Sequence, residues 1–214
     1  MTSLVFLEPN RMDAAPFTTS IVISKFARVS HKYIKKQIVA NRKDFETFGL
    51  LGAYTTESTG GRPGEYFRLN EEQATFLMTL LKNTPTAVAF KRELVRQFFA
   101  MRAELDRRQI RRAELKPIRR ELTDAIQDRP NHGEWDFKHY TDLAYKHAIG
   151  MNAAQLRKVR GADKKAHAVD YMTAAEIEAV ARAQAQISVL YQMGMAYEQV
   201  KMLLANSKLQ RLPA

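Results

Sequence analysis

No cysteine occurs among the 214 residues. That excludes disulfides, thiolate metal centres and cysteine nucleophiles, and it accords with a reducing cytoplasm. No apolar run approaches the roughly 18–20 residues that a membrane helix needs. The opening residues, with Thr2, Ser3, Glu8 and Asp13, lack the basic start and apolar stretch of a secretory signal. The expectation is a cytoplasmic protein without a membrane partner.

Motifs of chemistry are equally scarce. Of the five histidines, none forms a His-Glu-x-x-His array, and His139 and His147, eight apart, share a helix face only loosely, so no metal site is expected. Gly60, Gly61 and Gly64 are not followed by Gly-Lys-Ser/Thr, so they do not form the phosphate loop of nucleotide hydrolases. No serine sits in a nucleophile elbow. Glu176 and Glu178 are two apart and fall on different faces of a helix, and only tertiary structure could join Glu134, Asp142 and His139 into an acid–base cluster. The sequence therefore predicts neither an enzyme nor a cofactor.

Acidic residues are also in short supply. There are 23, against 34 Lys and Arg, for a formal net charge of +11. With 45% hydrophobic residues the chain has enough apolar content for a core. Such a charge favours a polyanionic partner, because each phosphate neutralised by a cation releases condensed counterions.

The charge is concentrated. Between Lys25 and Lys43 lie seven Lys or Arg and no acidic residue. The same stretch reads as two short helices. Ile21, Ile23 and Phe26 give an apolar patch, Arg28-Val29-Ser30 interrupts it, and Ser30 is suited to cap a second helix. In that helix Ile34 and Ile38 stand four apart and face one way, with His31, Lys32, Lys35 and Lys36 around the rest of the circumference. Two helices with so tight a break suit a helix-turn-helix. Leu50, Leu51, Tyr54 and Thr55, then Tyr66, Phe67 and Leu69, are strand-compatible across the loop Thr59–Gly64, which predicts a hairpin wing tipped by Arg62.

Asn70 with Gln73 resembles a capping box opening a helix through Leu81. Thr84-Pro85 starts a longer helix, read to about Leu115, in which Leu94, Phe98, Met101 and Leu105 form one apolar stripe. Val88, Val95 and Phe99 form a second. Two stripes on one helix suit packing against its own domain and against a second copy, so a homodimer is expected. Arg107, Arg108, Arg111 and Arg112 read as a solvated connector, or alternatively as another phosphate-contacting patch. Residues 116–205 read as helical apart from a loop at Asp128–Gly133, with breaks at Gly150, Gly161 and Gly194 and caps at Asn152 and Thr173. The fold class is thus mainly α: an N-terminal winged helix-turn-helix with a small hairpin wing (1–105), a basic helical connector (106–116) and an all-helical C-terminal interaction or oligomerisation domain (117–214).

Thr18-Thr19-Ser20 followed by His31-x-x-Ile34-x-x-x-Ile38, then Tyr66-Phe67-Arg68-Leu69-Asn70, Ala89-Phe90-Lys91 and Val95-Arg96-Gln97-Phe98, resemble the phage regulatory protein Rha family over roughly residues 17–105. The resemblance implies a phage or prophage regulator in a bacterial host, with a winged helix-turn-helix-like domain that binds DNA. It also implies the alternative of an antirepressor, which acts by binding a repressor protein. On this pattern His31 opens the recognition helix, and Ile34 and Ile38 anchor it. The family's turn carries glycine then lysine, where this chain has Arg28 then Val29, which leaves the tightness of the turn open. The stretch from Lys138 to Arg157 is similar to C-terminal modules of phage antirepressor-type proteins.

The residues expected at double-stranded DNA follow. Ser30, His31, Lys32 and Lys35 would lie nearest the base edges, and Lys25, Arg28, Lys36, Arg42, Lys43 and Arg62 would neutralise phosphates. For the alternative, exposed aromatics at Trp135, Phe137 and Tyr140 would supply anchors for a protein partner.

Overall fold

A computed structural model describes residues 3–8, 10–56, 64–130 and 132–209. The chain is mainly helical, with a small antiparallel sheet near its N-terminus and one long helix. It divides into two compact units: Met1–Glu8 with Ala14–Ala103, and Pro9–Asp13 with Glu104–Ala214.

The first strand of unit one is the two-residue β1 (Thr18–Thr19). Thr19 ends the strand and caps α1 (Ser20–Ala27), its hydroxyl accepting from the Val22 amide at 3.2 Å. In α1, Ile23 and Ala27 are four apart and fully buried, the spacing that places side chains on one helical face. The helix ends at Arg28, which takes the left-handed conformation (φ 55°, ψ 44°). The Ser24 hydroxyl donates to the Val29 carbonyl at 2.7 Å, and the Val29 amide returns to the Ser24 carbonyl at 3.1 Å. The turn is therefore tight without glycine. As expected, Ser30 caps α2 (His31–Ala40) by accepting from the Tyr33 amide, and Ile34 and Ile38 are completely buried.

A further helix, α3 (Arg42–Thr47), follows at once and buries Phe45. Six residues are too few to show helical periodicity in the sequence. Strands β2 (Gly52–Thr55) and β3 (Glu65–Leu69) pair antiparallel, with Tyr54 opposite Tyr66. Leu50 lies outside β2 and is exposed, whereas Leu51 is buried. Bonds between Thr56 and Gly64 close the loop end of the hairpin: the Thr56 amide donates to the Gly64 carbonyl at 2.8 Å, and the Gly64 amide to the Thr56 hydroxyl at 3.0 Å. β1 pairs on the other edge of β3, giving the order β1-β3-β2.

The capping box at Asn70 and Gln73 opens α4 (Glu71–Leu80), as expected. Gln73 does more than cap. Its buried amide also donates to the carbonyls of Phe45 (3.2 Å) and Gly49 (3.0 Å), tying α4 to the end of α3. α5 (Pro85–Gln127) completes this unit with Phe90, Leu94 and Phe98, all buried.

α5 does not stop near Leu115; it continues through Pro117 to Gln127. Interior proline removes one backbone bond and costs about 3 kcal/mol. Leu115, Leu122 and Ile126 are all buried, and full burial of each such side chain contributes about 1.5–3 kcal/mol, so packing outweighs the break. Unit two packs this part of α5 with α6 (Asp136–Ile149), α7 (Ala153–Val159), α8 (Ala174–Gln192) and α9 (Tyr197–Leu209). The caps at Asn152 and Thr173 are both present as capping boxes, and Gly150 closes α6 in the left-handed region. Besides the loop at 128–133, residues 160–173 also leave the α-helical path, with a short 3-10 turn at Ala168–Tyr171.

The cluster Arg107, Arg108, Arg111 and Arg112 is paired with carboxylates, and one of its members is buried. Arg108 is 5% exposed and bonds Glu104 and Asn10. Arg107 pairs with Glu104, Arg111 with Glu114 and Glu178, and Arg112 with Asp170. These cations are matched inside unit two.

Candidate nucleic-acid interface

With Ile34 and Ile38 fixed in the core, the helical repeat sets which side of α2 meets solvent. The exposed positions are Lys32, Tyr33, Lys36, Val39 and Ala40, continued by Arg42 and Lys43 at the start of α3. Lys35 and His31 are half-buried at its margins, and Ser30 is exposed at its N-terminus. Tyr33 and Val39, the latter 59% exposed, are additions that the count of cations missed. Knowing which face was buried would have found them.

Lys25 is exposed in the last turn of α1 with its ammonium 5.7 Å from the Phe26 ring centre, and Arg28 is exposed in the turn. Among the described residues, no carboxylate pairs with Lys25, Arg28, Lys32, Lys35, Lys36 or Lys43. Arg42 differs: its guanidinium meets Glu46 at 2.7 Å, one turn along α3. Arg62 lies outside the described residues.

His31 turns away from solvent. Its Nε2 lies 2.9 Å from the Ser20 hydroxyl, which also accepts from the Phe67 amide at 3.0 Å. One buried hydroxyl thus joins the first residue of α1, the first residue of α2 and the middle strand of the sheet. A neutral imidazole accepting at Nε2 suits a hydroxyl whose oxygen already takes the Phe67 proton. Burial, and then the Lys35 charge, hold the His31 pKa below the ordinary 6.5. The neighbouring threonines are equally occupied. Thr18 donates to the Leu4 carbonyl at 2.7 Å, and Thr19 caps α1. The Thr-Thr-Ser and His pattern therefore builds the frame of the helix pair.

Arg68, at the root of the hairpin, stacks between Phe17 (4.5 Å) and Tyr54 (4.6 Å) and bonds Glu8 at 3.1 Å. It stiffens the sheet and is not free for a ligand. Elsewhere, no group of three or more His, Asp or Glu among the described residues is placed to hold a metal ion. No helix among them is long and apolar enough to cross a membrane. Of the three aromatics weighed for a protein interface, Trp135 and Phe137 are exposed, but Tyr140 is 2% exposed and belongs to the core.

No curated protein matches the chain. Residues 18–103 match the family described as phage regulatory protein Rha. That span begins at β1 and ends where unit one ends, and it does not extend into unit two. The chain therefore carries, over residues 18–103, a domain of the phage regulatory protein Rha family, which is a family of regulators and not of enzymes.

Proposed function

We propose that this protein is a phage or prophage transcription regulator that binds double-stranded DNA through unit one, in the cytoplasm of a bacterial host. The observation that carries this reading is the solvent face of α2 and the start of α3: Lys32, Lys36 and Lys43 without carboxylate partners, interleaved with Tyr33 and Val39. A helix of this kind entering a major groove reads bases with its outward side chains while flanking cations hold phosphates. The sheet order and the closed hairpin after the helix pair support a winged helix-turn-helix, with the hairpin as wing.

Roles follow from exposure. Lys32, Tyr33, Lys36 and Val39 face the base edges, where an apolar side chain suits a thymine methyl group. Ser30, Lys35, Lys25, Arg28 and Lys43 contact phosphates around the groove, with Arg42 joining them once released from Glu46. Arg62, outside the described residues, is assigned from its place in the sequence to phosphate or the minor groove. His31 is a positioning residue that sets the angle of α2 through Ser20.

Paired half-sites call for two copies. The exposed stripe Val88, Val95 and Phe99 runs along α5 in the same unit as α2, at spacings of seven and four, and it is assigned to a homodimer.

The test is a titration of labelled random duplex DNA at several salt concentrations, comparing the intact chain with a Lys32→Ala, Lys35→Ala, Lys36→Ala variant. If about six phosphates are neutralised, the log–log salt slope is near −5, and the variant loses most binding. A flat salt response, or binding untouched by the substitutions, would sink the assignment. The second reading, an antirepressor that binds a repressor protein, is favoured by the exposure of Trp135 (57%) and Phe137 in unit two. It predicts a stoichiometric protein complex that survives the α2 variant.

A further inference from the structure

Unit two handles its arginines in a consistent way. Arg107, Arg108, Arg111, Arg112, Arg120, Arg160 and Arg182 each face a carboxylate within 4.0 Å. Arg129 instead donates to the carbonyls of Gly194 and Met195. Arg119 and Arg157 have no carboxylate within that distance among the described residues, Arg157 making one long bond of 3.5 Å to the Ala166 carbonyl, and both line the same cleft between the end of α5, α6 and the start of α7.

That cleft holds about 580 Å³, within the range typical of small-ligand sites. Lys138 adds a third cation, and Asp142 is the one acidic residue in the lining. Asp142 pairs with none of the three, so the excess positive charge is not cancelled by the wall itself. The remaining lining is partly apolar, with Leu122 and Ile126 from α5 and the Phe137 ring, 36% exposed, from α6. Thr123 and Thr141 also line it. Their hydroxyls donate to the helix carbonyls of Arg119 and Phe137, so toward a ligand they act as acceptors.

We infer that this cleft binds a nucleotide, with the phosphate held by Arg119 and Arg157 and the base lying against Phe137. Two guanidinium groups suit phosphate, which they meet through paired donors. An aromatic face adjoining them suits a base, which stacks regardless of sequence. Hydroxyl acceptors suit the exocyclic amines of bases. The nucleotide is either free or one unit of a single strand. This inference is independent of duplex binding by α2.

The test uses the full chain carrying Lys32→Ala and Lys36→Ala, which silences α2. ADP and a short single-stranded oligodeoxyadenylate are titrated by calorimetry. Trp135, the single tryptophan of the chain, gives a local fluorescence signal two residues from Phe137. Saturable binding is expected, weakened at least about tenfold by Arg119→Ala, since a charge-assisted bond to the phosphate is lost. Arg119 is exposed on a helix, so this variant should keep the parent's thermal midpoint, and Lys138→Gln provides a second lesion in the same wall. Tighter binding of the oligonucleotide identifies a strand as the source, and tighter binding of ADP identifies a free nucleotide. No saturable binding of either at millimolar concentration overturns the inference. So does an affinity indifferent to Arg119→Ala, or displacement by an acidic peptide as effective as by ADP.

Discussion

The Ser20 hydroxyl lies 2.9 Å from His31 Nε2 and accepts the Phe67 amide at 3.0 Å, so a single side chain fixes how α1, α2 and the sheet meet. Ser20 is fully buried. Replacing it with alanine leaves the Phe67 amide without its partner, and an orphaned buried donor costs about 1–3 kcal/mol. Ser20→Ala is expected to lower stability by that amount in denaturant melts monitored by circular dichroism. An unchanged midpoint would mean that the hydroxyl does not hold the joint.

The same contact makes stability depend on pH. Burial, and then Lys35, lower the His31 pKa in the folded chain, so the unfolded chain binds the proton more readily. A depressed histidine contributes stability that is fully present above its unfolded value near 6.5 and is lost as pH falls through that value toward the folded one. Melts from pH 7.5 to 5 should therefore show a steeper loss for the intact chain than for His31→Gln. Parallel curves would show that His31 does not carry the effect, the other histidines being common to both proteins.

Arg28 offers a test in which stability and binding move in opposite directions. It is the non-glycine residue with positive φ among the described residues. Left-handed backbone costs a side-chain-bearing residue roughly 1–2 kcal/mol, part of which glycine returns through its greater unfolded freedom. Arg28→Gly should raise stability by up to about 1 kcal/mol. It should also weaken duplex binding and reduce the salt slope by about 1, the signature of one lost phosphate contact. A stabilised variant with undiminished DNA affinity would remove Arg28 from the interface.

The features legible in the sequence were those set by neighbours along the chain. Ser30, Asn70, Asn152 and Thr173 were readable as caps because each bonds an amide two or three residues ahead. The burial of Ile34 and Ile38 followed from their spacing. What escaped was set by partners far away in sequence. Ser20 meets Phe67, Gln73 reaches back to Phe45, and Arg108 is neutralised beside Asn10. The helix read to about Leu115 runs on through Pro117, because Leu115 and Leu122 on either side are buried. At the interface, cation count located the right helix but missed Tyr33 and Val39, whose exposure depends on which face the core claims.

Arg42 is the cation in the proposed interface that already has a partner, Glu46 at 2.7 Å. Both side chains are about half exposed, and such pairs contribute roughly 0.2–1 kcal/mol to folding, so breaking this one costs little. Glu46→Gln removes a negative charge from the edge of the phosphate path and frees the guanidinium. Duplex binding should tighten about two- to fivefold at low salt, with the gain fading as salt rises. Weaker binding in this variant would place α3 away from the backbone.

The α5 stripe sets the last expectation. Val88, Val95 and Phe99 are exposed, and Phe99 is 60% so. On a monomer Phe99 gains little from burial, so Phe99→Glu should be nearly neutral for the fold of a single chain. In a symmetric pair the same substitution brings two like charges into an apolar seam, where they are desolvated and repel. Sedimentation equilibrium should show the intact chain as a dimer and the variant as a monomer. Binding to a duplex with two half-sites should lose its cooperativity, while binding to one half-site should keep its salt slope. If the intact chain sediments as a monomer, or the variant remains a dimer, the seam lies elsewhere. In the second case the exposed apolar residues of unit two, Val189, Met193 and Met202, become the next to substitute.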